Sequence, residues 1–304
     1  MNPSSRSIAY LLAFLATLIW SGNFIVARGL NTTFAPISIS FFRWFVACIA
    51  IIPFAYPFIK RDFGYLLAQW KLMMIISFLG ITVFNTMIYL AAHSTSALNL
   101  SLLAITAPFY VVILNRLIFK ERLNRQQNIG FLVLALGLII LITKGDIHAL
   151  LNLELNQGDL IMAAGAGIFG TYSVLVKKKN PLIGNLSFVA ATFILGTLML
   201  LPFFLGELIL LKPVIKFSNQ SLLQILFIGI GPSVISYYLW NRAIVTIGST
   251  KAATIYNTLP VFSAAFAAFL LGEGILAVQV ISSIIIISGV LLVILGGKQK
   301  AGTG

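Results

Sequence analysis

Residues 107–121 read APFYVVILNRLIFKE, and residues 259–273 read LPVFSAAFAAFLLGE. Each stretch has a proline at its second position and a glutamate at its end, with a predominantly apolar run between them. Pro108 and Pro260 are 152 residues apart, and the two glutamates are separated by the same distance. The same signature at the same separation predicts that the chain consists of two copies of one structural unit.

The composition is that of an integral membrane protein. Of 304 residues, 60% are hydrophobic and 9% are charged, and the mean hydropathy is +1.03. A soluble domain of this composition has too few polar residues to cover its surface. Apolar runs of about 17 to 23 residues, enough for an α-helix to cross about 30 Å of hydrocarbon, recur along the chain. Ten helical segments are predicted, at 8–27, 37–58, 72–92, 97–119, 127–143, 160–176, 182–205, 222–240, 252–271 and 275–295.

The positions of the basic residues predict how the chain is oriented in the membrane. The net charge of +13 could indicate a nucleic-acid partner, but Lys and Arg are confined to loops and segment ends. That pattern is the one that fixes insertion topology. With the N-terminus in the cytoplasm, fifteen Lys and Arg residues fall on the inner side and four on the outer side, and Arg43 lies inside a segment. We therefore predict that both termini are cytoplasmic and that nucleic acid is not a partner.

Five crossings per copy is an odd number, so the second copy must enter the membrane in the opposite sense. We predict repeats at 1–145 and 146–304, related by a pseudo-two-fold axis in the membrane plane. The positions of the basic residues agree with this inversion. Shifted by 152 residues along the sequence, the basic cluster at 116–125 falls on a stretch without basic residues. Shifted by 149 residues, Arg28 falls on Lys177. Inverted repeats are typical of transporters that work by alternating access around a central site. A duplicated but static scaffold is the alternative.

Polar and aromatic side chains recur at helical spacing and predict a shared wet cavity. Asn85 and Tyr89 lie on one face of the third segment, and Tyr237 and Asn241 occupy the corresponding positions of the eighth. Polar groups in hydrocarbon need partners or water, although Ser and Thr often serve helix packing and aromatic residues often form interfacial belts. The predicted substrate-binding residues are Trp20, Asn23, Asn85, Tyr89, Asn99, Tyr110, Tyr172, Tyr237, Trp240, Asn241, Tyr256 and Asn257.

Arg43 lies seven residues into the second segment, where an ionisable group is a candidate for function. No Asp or Glu lies deep in any predicted segment, so three roles are open. Arg43 either extends to the outer interface, bonds backbone carbonyls, or binds a substrate carboxylate. Without a buried acid, the mechanisms left are facilitated export, exchange, or coupling through His93.

Three of the prolines inside predicted helices, Pro108, Pro232 and Pro260, are candidates for kinks or gating. Pro108 and Pro260 each remove one helix hydrogen bond and free a carbonyl four residues earlier, at Ala104 and Tyr256. Pro232, with its neighbouring glycines, makes the eighth segment another candidate for bending.

These residues resemble the EamA family of the drug/metabolite transporter superfamily. The resemblance rests on Trp20 and Asn23, on the Phe-Arg-Trp stretch at 42–44, and on the repeated pattern of proline followed by glutamate. It covers nearly the whole chain. Lys120 departs from the glycine that the family usually has before the glutamate, whereas Gly272 keeps it.

The resemblance implies an all-α fold of ten transmembrane helices in the bacterial inner membrane. It also implies export of amino acids, metabolites or toxic compounds, and we expect neutral or aromatic amino acids as substrates. The family's central cavity would be lined by the residues given above for the first, third, fourth, sixth, eighth and ninth segments.

Two other classes of function are considered. A channel-like or facilitative permease for other metabolites or drugs, including multidrug or purine efflux, is the alternative, because the same polar stripes could line a pore. A membrane enzyme is disfavoured, because His93 and His148 are not spaced as metal ligands and Cys48 is the only cysteine. We expect no cofactor and no metal. The expected partners are a small-molecule substrate and the lipid bilayer, with the chain as a monomer or homodimer.

Overall fold

The computed structural model describes residues 3–31, 33–95, 97–143, 145–146, 156–213, 215, 217–271 and 277–296, and these residues contain helices and no β-strand. Glu273, His148 and the side chains of Arg28 and Asn99 lie outside the described part. The helices are α1 (Pro3–Leu30), α2 (Pro36–Ala68), α3 (Trp70–Ala92), α4 (Ala97–Ala104), α5 (Ala107–Phe119), α6 (Arg125–Thr143), α7 (Gln157–Leu175), α8 (Asn185–Leu211), α9 (Asn219–Ile247), α10 (Ser249–Tyr256), α11 (Leu259–Leu271) and α12 (Ala277–Gly296).

Eight stretches of these helices are long and apolar enough to cross a membrane. They belong to α1, α2, α3, α7, α8, α9 and α12, and to Leu100–Phe119, which joins α4 to α5. The apolar part of α6, Arg125–Leu141, is shorter, and α10 and α11 have 8 and 13 residues. The chain is therefore a multi-pass membrane protein. Helices lie at all ten predicted positions, but the number of crossings stays a prediction.

Proline interrupts two of the predicted segments completely. The first break separates α4 from α5 and the second separates α10 from α11. Pro108 and Pro260 each occupy the second position of the helix that follows the break. A proline has no N–H to donate and its ring displaces the carbonyl four residues earlier, so it fits best at a helix start. Pro53, Pro57, Pro202 and Pro232 nevertheless lie inside α2, α8 and α9 without ending them.

Helices α3 and α9 each contain a π-helical turn, at Phe78–Val83 and Gly229–Ile235. Gly80 and Pro232 lie inside these turns and are 152 residues apart. A π turn shifts the hydrogen-bond ladder by one residue, which leaves backbone carbonyls available to side chains. Both helices therefore present backbone acceptors at repeat-related positions.

Helices α2 and α8 run antiparallel and cap each other. Neither helix has a capping side chain of its own at its N-terminus. The Glu207 carboxylate, near the end of α8, accepts from the Ser38 backbone N–H at 2.7 Å and from its hydroxyl at 2.6 Å. The Asp62 carboxylate, near the end of α2, accepts from the Gly184 N–H at 2.8 Å and the Ser187 hydroxyl at 2.6 Å. Both carboxylates are buried.

Helices α2 and α8 are longer than the sequence predicts. The sequence places Asp62 and Glu207 beyond segments that end at residues 58 and 205, but α2 and α8 continue to Ala68 and Leu211. Each carboxylate binds the N-terminus of the opposite helix, which stabilises its charge beyond the apolar run, and Asp62 is also paired with Arg61.

Several residues that correspond in the two halves contact each other directly. The Cys48 Sγ lies 3.4 Å from the Thr197 Oγ1, and these positions are 149 residues apart. The Asn85 amide donates to the Tyr237 hydroxyl at 2.9 Å, across a separation of 152 residues. If the halves are copies related by the predicted pseudo-two-fold axis, these contacts place both pairs close to that axis.

Helices α6 and α12 also run antiparallel, and glycines bring them together. A Cβ added at Gly137 would lie 2.9 Å from the Ile286 nitrogen, and one added at Gly130 would lie 2.8 Å from the Val293 nitrogen. Any larger residue at these positions would force the backbones apart, as expected for membrane helices that pack through small residues.

Candidate functional site

Arg43 lies at the centre of the candidate site and is almost fully buried, with a relative exposure of 1%. Its Nε donates to the Ser233 hydroxyl at 2.7 Å, and its Nη1 donates to the Asn23 Oδ1 at 3.2 Å and to the Tyr89 hydroxyl at 3.0 Å. Its Nη2 donates to the Pro232 carbonyl at 3.3 Å. The interpretation that Arg43 bonds a backbone carbonyl fits this geometry, and the side chain does not extend to an interface.

All four hydrogen-bond acceptors of Arg43 are neutral. Among the described residues, the ion pairs join Arg61 to Asp62 and Lys177 to Glu121, so none involves Arg43. An unneutralised guanidinium away from water costs several kcal/mol, which hydrogen bonds to neutral groups offset only in part. The site is therefore electrostatically suited to an anionic group.

An aromatic cluster packs beside Arg43, with Trp20 at its centre. The Trp20 ring centroid lies 5.2 Å from that of Trp240, 5.6 Å from those of Phe169 and Tyr237, and 5.8 Å from that of Tyr256. These edge-on contacts bring together α1, α7, α9 and α10. The cluster offers ring faces that suit an apolar or aromatic group, or a substrate ammonium.

The carbonyls of the two π turns organise this cluster. The Pro232 carbonyl accepts from the Trp20 Nε1 at 2.7 Å as well as from Arg43. The Gly80 carbonyl accepts from the Tyr237 hydroxyl and from the Asn85 amide, both at 2.8 Å. The turns therefore fix the orientations of side chains from both halves of the chain.

A cavity of about 10 Å³ lies between Arg43 and the rings. That is room for about one water molecule. The sequence predicts a wet cavity here, but in this conformation the side chains nearly fill it. An organic solute can enter only if helices move apart. The lining residues are Trp20, Asn23, Phe24, Arg43, Phe84, Asn85, Ile88, Phe169, Tyr237 and Tyr256.

Other predicted residues surround this cavity without lining it. Tyr89 contacts Arg43, and the Trp240 Nε1 donates to the Ser173 hydroxyl at 3.3 Å. The Tyr172 hydroxyl donates to the Asn241 Oδ1 at 2.8 Å.

Two buried amides near the cavity are only partly satisfied. Within the described part of the chain, the Asn241 Nδ2 has no acceptor and the Asn257 Oδ1 has no donor. Buried polar atoms normally have partners, and an atom without one in a transporter core is a candidate ligand contact.

The remaining predicted residues lie elsewhere. Tyr110 has a relative exposure of 39% and packs against Gly167 and Gly170 of α7, outside the cavity. Asn99 belongs to α4, but its side chain is not among those described. Pro108 and Pro260 mark the two helix breaks, whereas Pro232 contributes its carbonyl to the site itself.

The predicted set omits five residues of the site. They are Phe24, Phe84, Ile88 and Phe169, which line the cavity, and Ser233, which binds Arg43. The apolar members carry no polarity signal that would separate them from ordinary membrane-helix residues. The stripes of the first, sixth and eighth segments do include Phe24, Phe169 and Ser233, and an offset of 149 pairs Trp20 with Phe169, but the predicted substrate-binding set leaves these three residues out.

Comparison with known proteins places the chain among transporters. An uncharacterized transporter of Archaeoglobus fulgidus is 27% identical over 288 residues, covering 94% of this chain and 97% of that protein. The uncharacterized transporter YyaM of Bacillus subtilis is 30% identical, covering 71% of this chain and 70% of that protein. A probable amino-acid metabolite efflux pump of Escherichia coli is 23% identical, covering 95% and 96%.

The fold also has a solved counterpart. One crystal structure aligns with a TM-score of 0.74 at 18% sequence identity, covering 97% of this chain and 99% of that one. Residues 7–143 and residues 156–295 each match the EamA-like transporter family. Because these two matches take in most of the chain, the protein belongs to the EamA-like transporter family, as its sequence resemblance predicts.

Proposed function

We propose that this protein exports small organic solutes with a carboxylate, above all neutral or aromatic amino acids, across the bacterial inner membrane. The observation that carries the proposal is Arg43, a buried guanidinium without an acidic partner among the described residues, beside an aromatic cavity. The substrate carboxylate would supply the negative charge that Arg43 lacks. The rings around Trp20 would hold its apolar or aromatic side chain.

The proposed mechanism is alternating access between two inverted five-helix repeats. Two pairs of equivalent helices, α2 with α8 and α6 with α12, run antiparallel, as inverted repeats require. The two segments that match the same family support a duplication. In such transporters the halves exchange conformations around a central site.

The size of the cavity fits a carrier that closes around its site. With room for about one water molecule, it fits an occluded state and not an open pore. The names of the Escherichia coli and Salmonella typhimurium relatives, probable amino-acid metabolite efflux pumps, support amino acids as the substrate class. A channel-like permease for other metabolites stays the alternative.

The test is counterflow in proteoliposomes. Vesicles loaded with unlabelled phenylalanine or threonine should accumulate the labelled amino acid transiently, because a carrier exchanges substrate across the membrane and a channel does not. Arg43→Gln should lower the exchange rate at least about tenfold, since losing a buried charge partner costs about 2 kcal/mol or more.

Arg242→Gln is the matched control, because Arg242 is an exposed arginine on α9 that does not line the cavity. It should exchange at the wild-type rate. Exchange no faster than in empty vesicles across a broad amino-acid panel would rule out the substrate class, and full activity of Arg43→Gln would rule out the role of Arg43.

A further inference from the structure

A second and much larger cavity, of about 830 Å³, lies where α5, α6, α9, α10 and α12 come together. It shares no lining residue with the central cavity. We call it the basic vestibule, after the five basic residues in its wall, which are Arg116, Lys120, Arg122, Lys177 and Lys251.

The charges of the basic vestibule are unbalanced. Glu121 is the one carboxylate among its lining residues, and its Oε1 is bound to the Lys177 Nζ at 2.5 Å. Lys177 also donates to the Asn115 Oδ1 at 3.1 Å and lies 4.2 Å from the centre of the Phe119 ring. Lys177 thus takes up the one carboxylate of the wall, and the four other basic residues have no acid among the lining residues.

The rule that places basic residues on the cytoplasmic side explains why these residues are positively charged. It does not explain why they line one cavity. Lys60, Lys71 and Arg242 lie on the same predicted side of the membrane, and they are exposed outside the vestibule. A concave wall with one sign of charge concentrates counter-ions far more strongly than scattered surface charges do. The start of α10 adds to this field, since Gly248 and Thr250 line the wall and the helix has no side-chain cap there.

We propose that the basic vestibule binds the phosphate group of an anionic ligand. Four positive charges that no described lining residue balances exceed what one carboxylate can neutralise, whereas a phosphate group offers more charge and several acceptor oxygens. Arginine forks together with lysine ammonium groups are the usual recognition set for phosphate. The volume is within the range of small-molecule sites, about 300 to 1,000 Å³.

The phosphate group could belong to a soluble compound or to an anionic lipid, and two arms of one experiment separate these sources. In the first arm, inorganic phosphate is titrated against the protein in phosphatidylcholine nanodiscs at constant ionic strength. In the second, phosphatidylglycerol replaces part of the lipid without added phosphate. The thermal midpoint is measured in both, because a ligand that binds the folded state raises it.

The vestibule variant is the triple change Arg116→Gln, Arg122→Gln and Lys251→Gln. The matched control is Lys60→Gln, Lys71→Gln and Arg242→Gln, which removes the same charge outside the cavity. We expect at least one probe to stabilise the wild type, with affinity at least about tenfold lower in the vestibule variant and within about twofold of wild type in the control.

If the triple variant fails to fold, Arg122→Gln alone serves as the test. Arg122 is exposed, so its replacement disturbs no packing and should still weaken binding by about tenfold. The proposal is wrong if neither probe stabilises the wild type, if both triple variants lose affinity equally, or if Arg122→Gln binds as wild type does.

Discussion

Lys120 has a left-handed backbone conformation at a position where the family usually has glycine. It ends α5 with φ 55° and ψ 24°, in the left-handed region that glycine adopts at little cost. The sequence shows a lysine where the family usually has glycine. The structure gives the reason for that glycine, which is a helix C-cap that reverses the chain before Glu121.

We predict that Lys120→Gly stabilises the protein by about 1 kcal/mol, the strain of a left-handed residue with a Cβ. The measurement is the free energy of unfolding in a defined detergent. Lys120→Ala is the control, because it removes the same charge but keeps the Cβ and so should give no stabilisation. Equal effects of the two changes would show that charge and not backbone strain matters at this position.

Residue type alone predicts Arg43, Trp20 and Tyr256 as site residues, and the repeat adds the pairing of Asn85 with Tyr237. Asn85 and Tyr237 were paired by an offset of 152 residues, and their side chains do meet. Tyr110 is also a tyrosine among the predicted residues, but it is 39% exposed and packs against Gly167 and Gly170 of α7, outside the cavity. Which side of a helix faces a cavity depends on neighbours that a single sequence does not identify.

At the scale of elements, the α2 and α8 pair is held by two carboxylates that replace missing caps. Each one satisfies N–H groups at the start of the opposite helix, which would otherwise be unpaired. Ser38 and Ser187 make equivalent hydroxyl contacts and are 149 residues apart. Hydrogen bonds therefore join α2 and α8 near both ends of the pair, which favours movement of the two helices as one unit.

A double-mutant cycle tests the contact between Glu207 and Ser38. Glu207→Gln and Ser38→Ala should each destabilise the protein, by about 1.5 to 3 kcal/mol for loss of a hydrogen bond to a charged group. The double mutant should lose less than the sum of the two, with a coupling of about 1 kcal/mol. Free energies of unfolding, taken from denaturant titrations in detergent, give these values. Strict additivity would mean that the contact contributes nothing to stability.

Some features of the helices can be predicted from the sequence and others cannot. Apolar runs locate the helices, and Pro108 and Pro260 predict a kink at each of the two places where the structure has a full break, because a proline removes a hydrogen bond of its own helix. The π turns at Gly80 and Pro232 could not be predicted, because one extra residue in a helical turn does not change the amino-acid composition in a recognisable way. The C-terminal extensions of α2 and α8 could not be predicted either, because they depend on tertiary contacts of Asp62 and Glu207.

At the scale of the whole molecule, residues near the proposed pseudo-two-fold axis connect the two halves. Cys48 on α2 and Thr197 on α8 are side by side, with 3.4 Å between Sγ and Oγ1. Trp44 and Phe193, also 149 residues apart, pack with ring centroids 4.8 Å apart. If α2 and α8 move together, their contact at the axis persists through the transport cycle while the helices around Arg43 separate.

We predict that Thr197→Cys forms an intramolecular disulfide with Cys48 on mild oxidation, and that the cross-linked protein still transports. Mass spectrometry under non-reducing conditions detects the bond as a loss of two hydrogens, and counterflow in proteoliposomes measures transport before and after reduction. The control combines Thr197→Cys with Cys48→Ala, which cannot cross-link. Failure to cross-link would contradict the contact between α2 and α8 in the membrane. A cross-link that stops transport until it is reduced would show that these helices separate during the cycle, and the moving boundary would then lie between them.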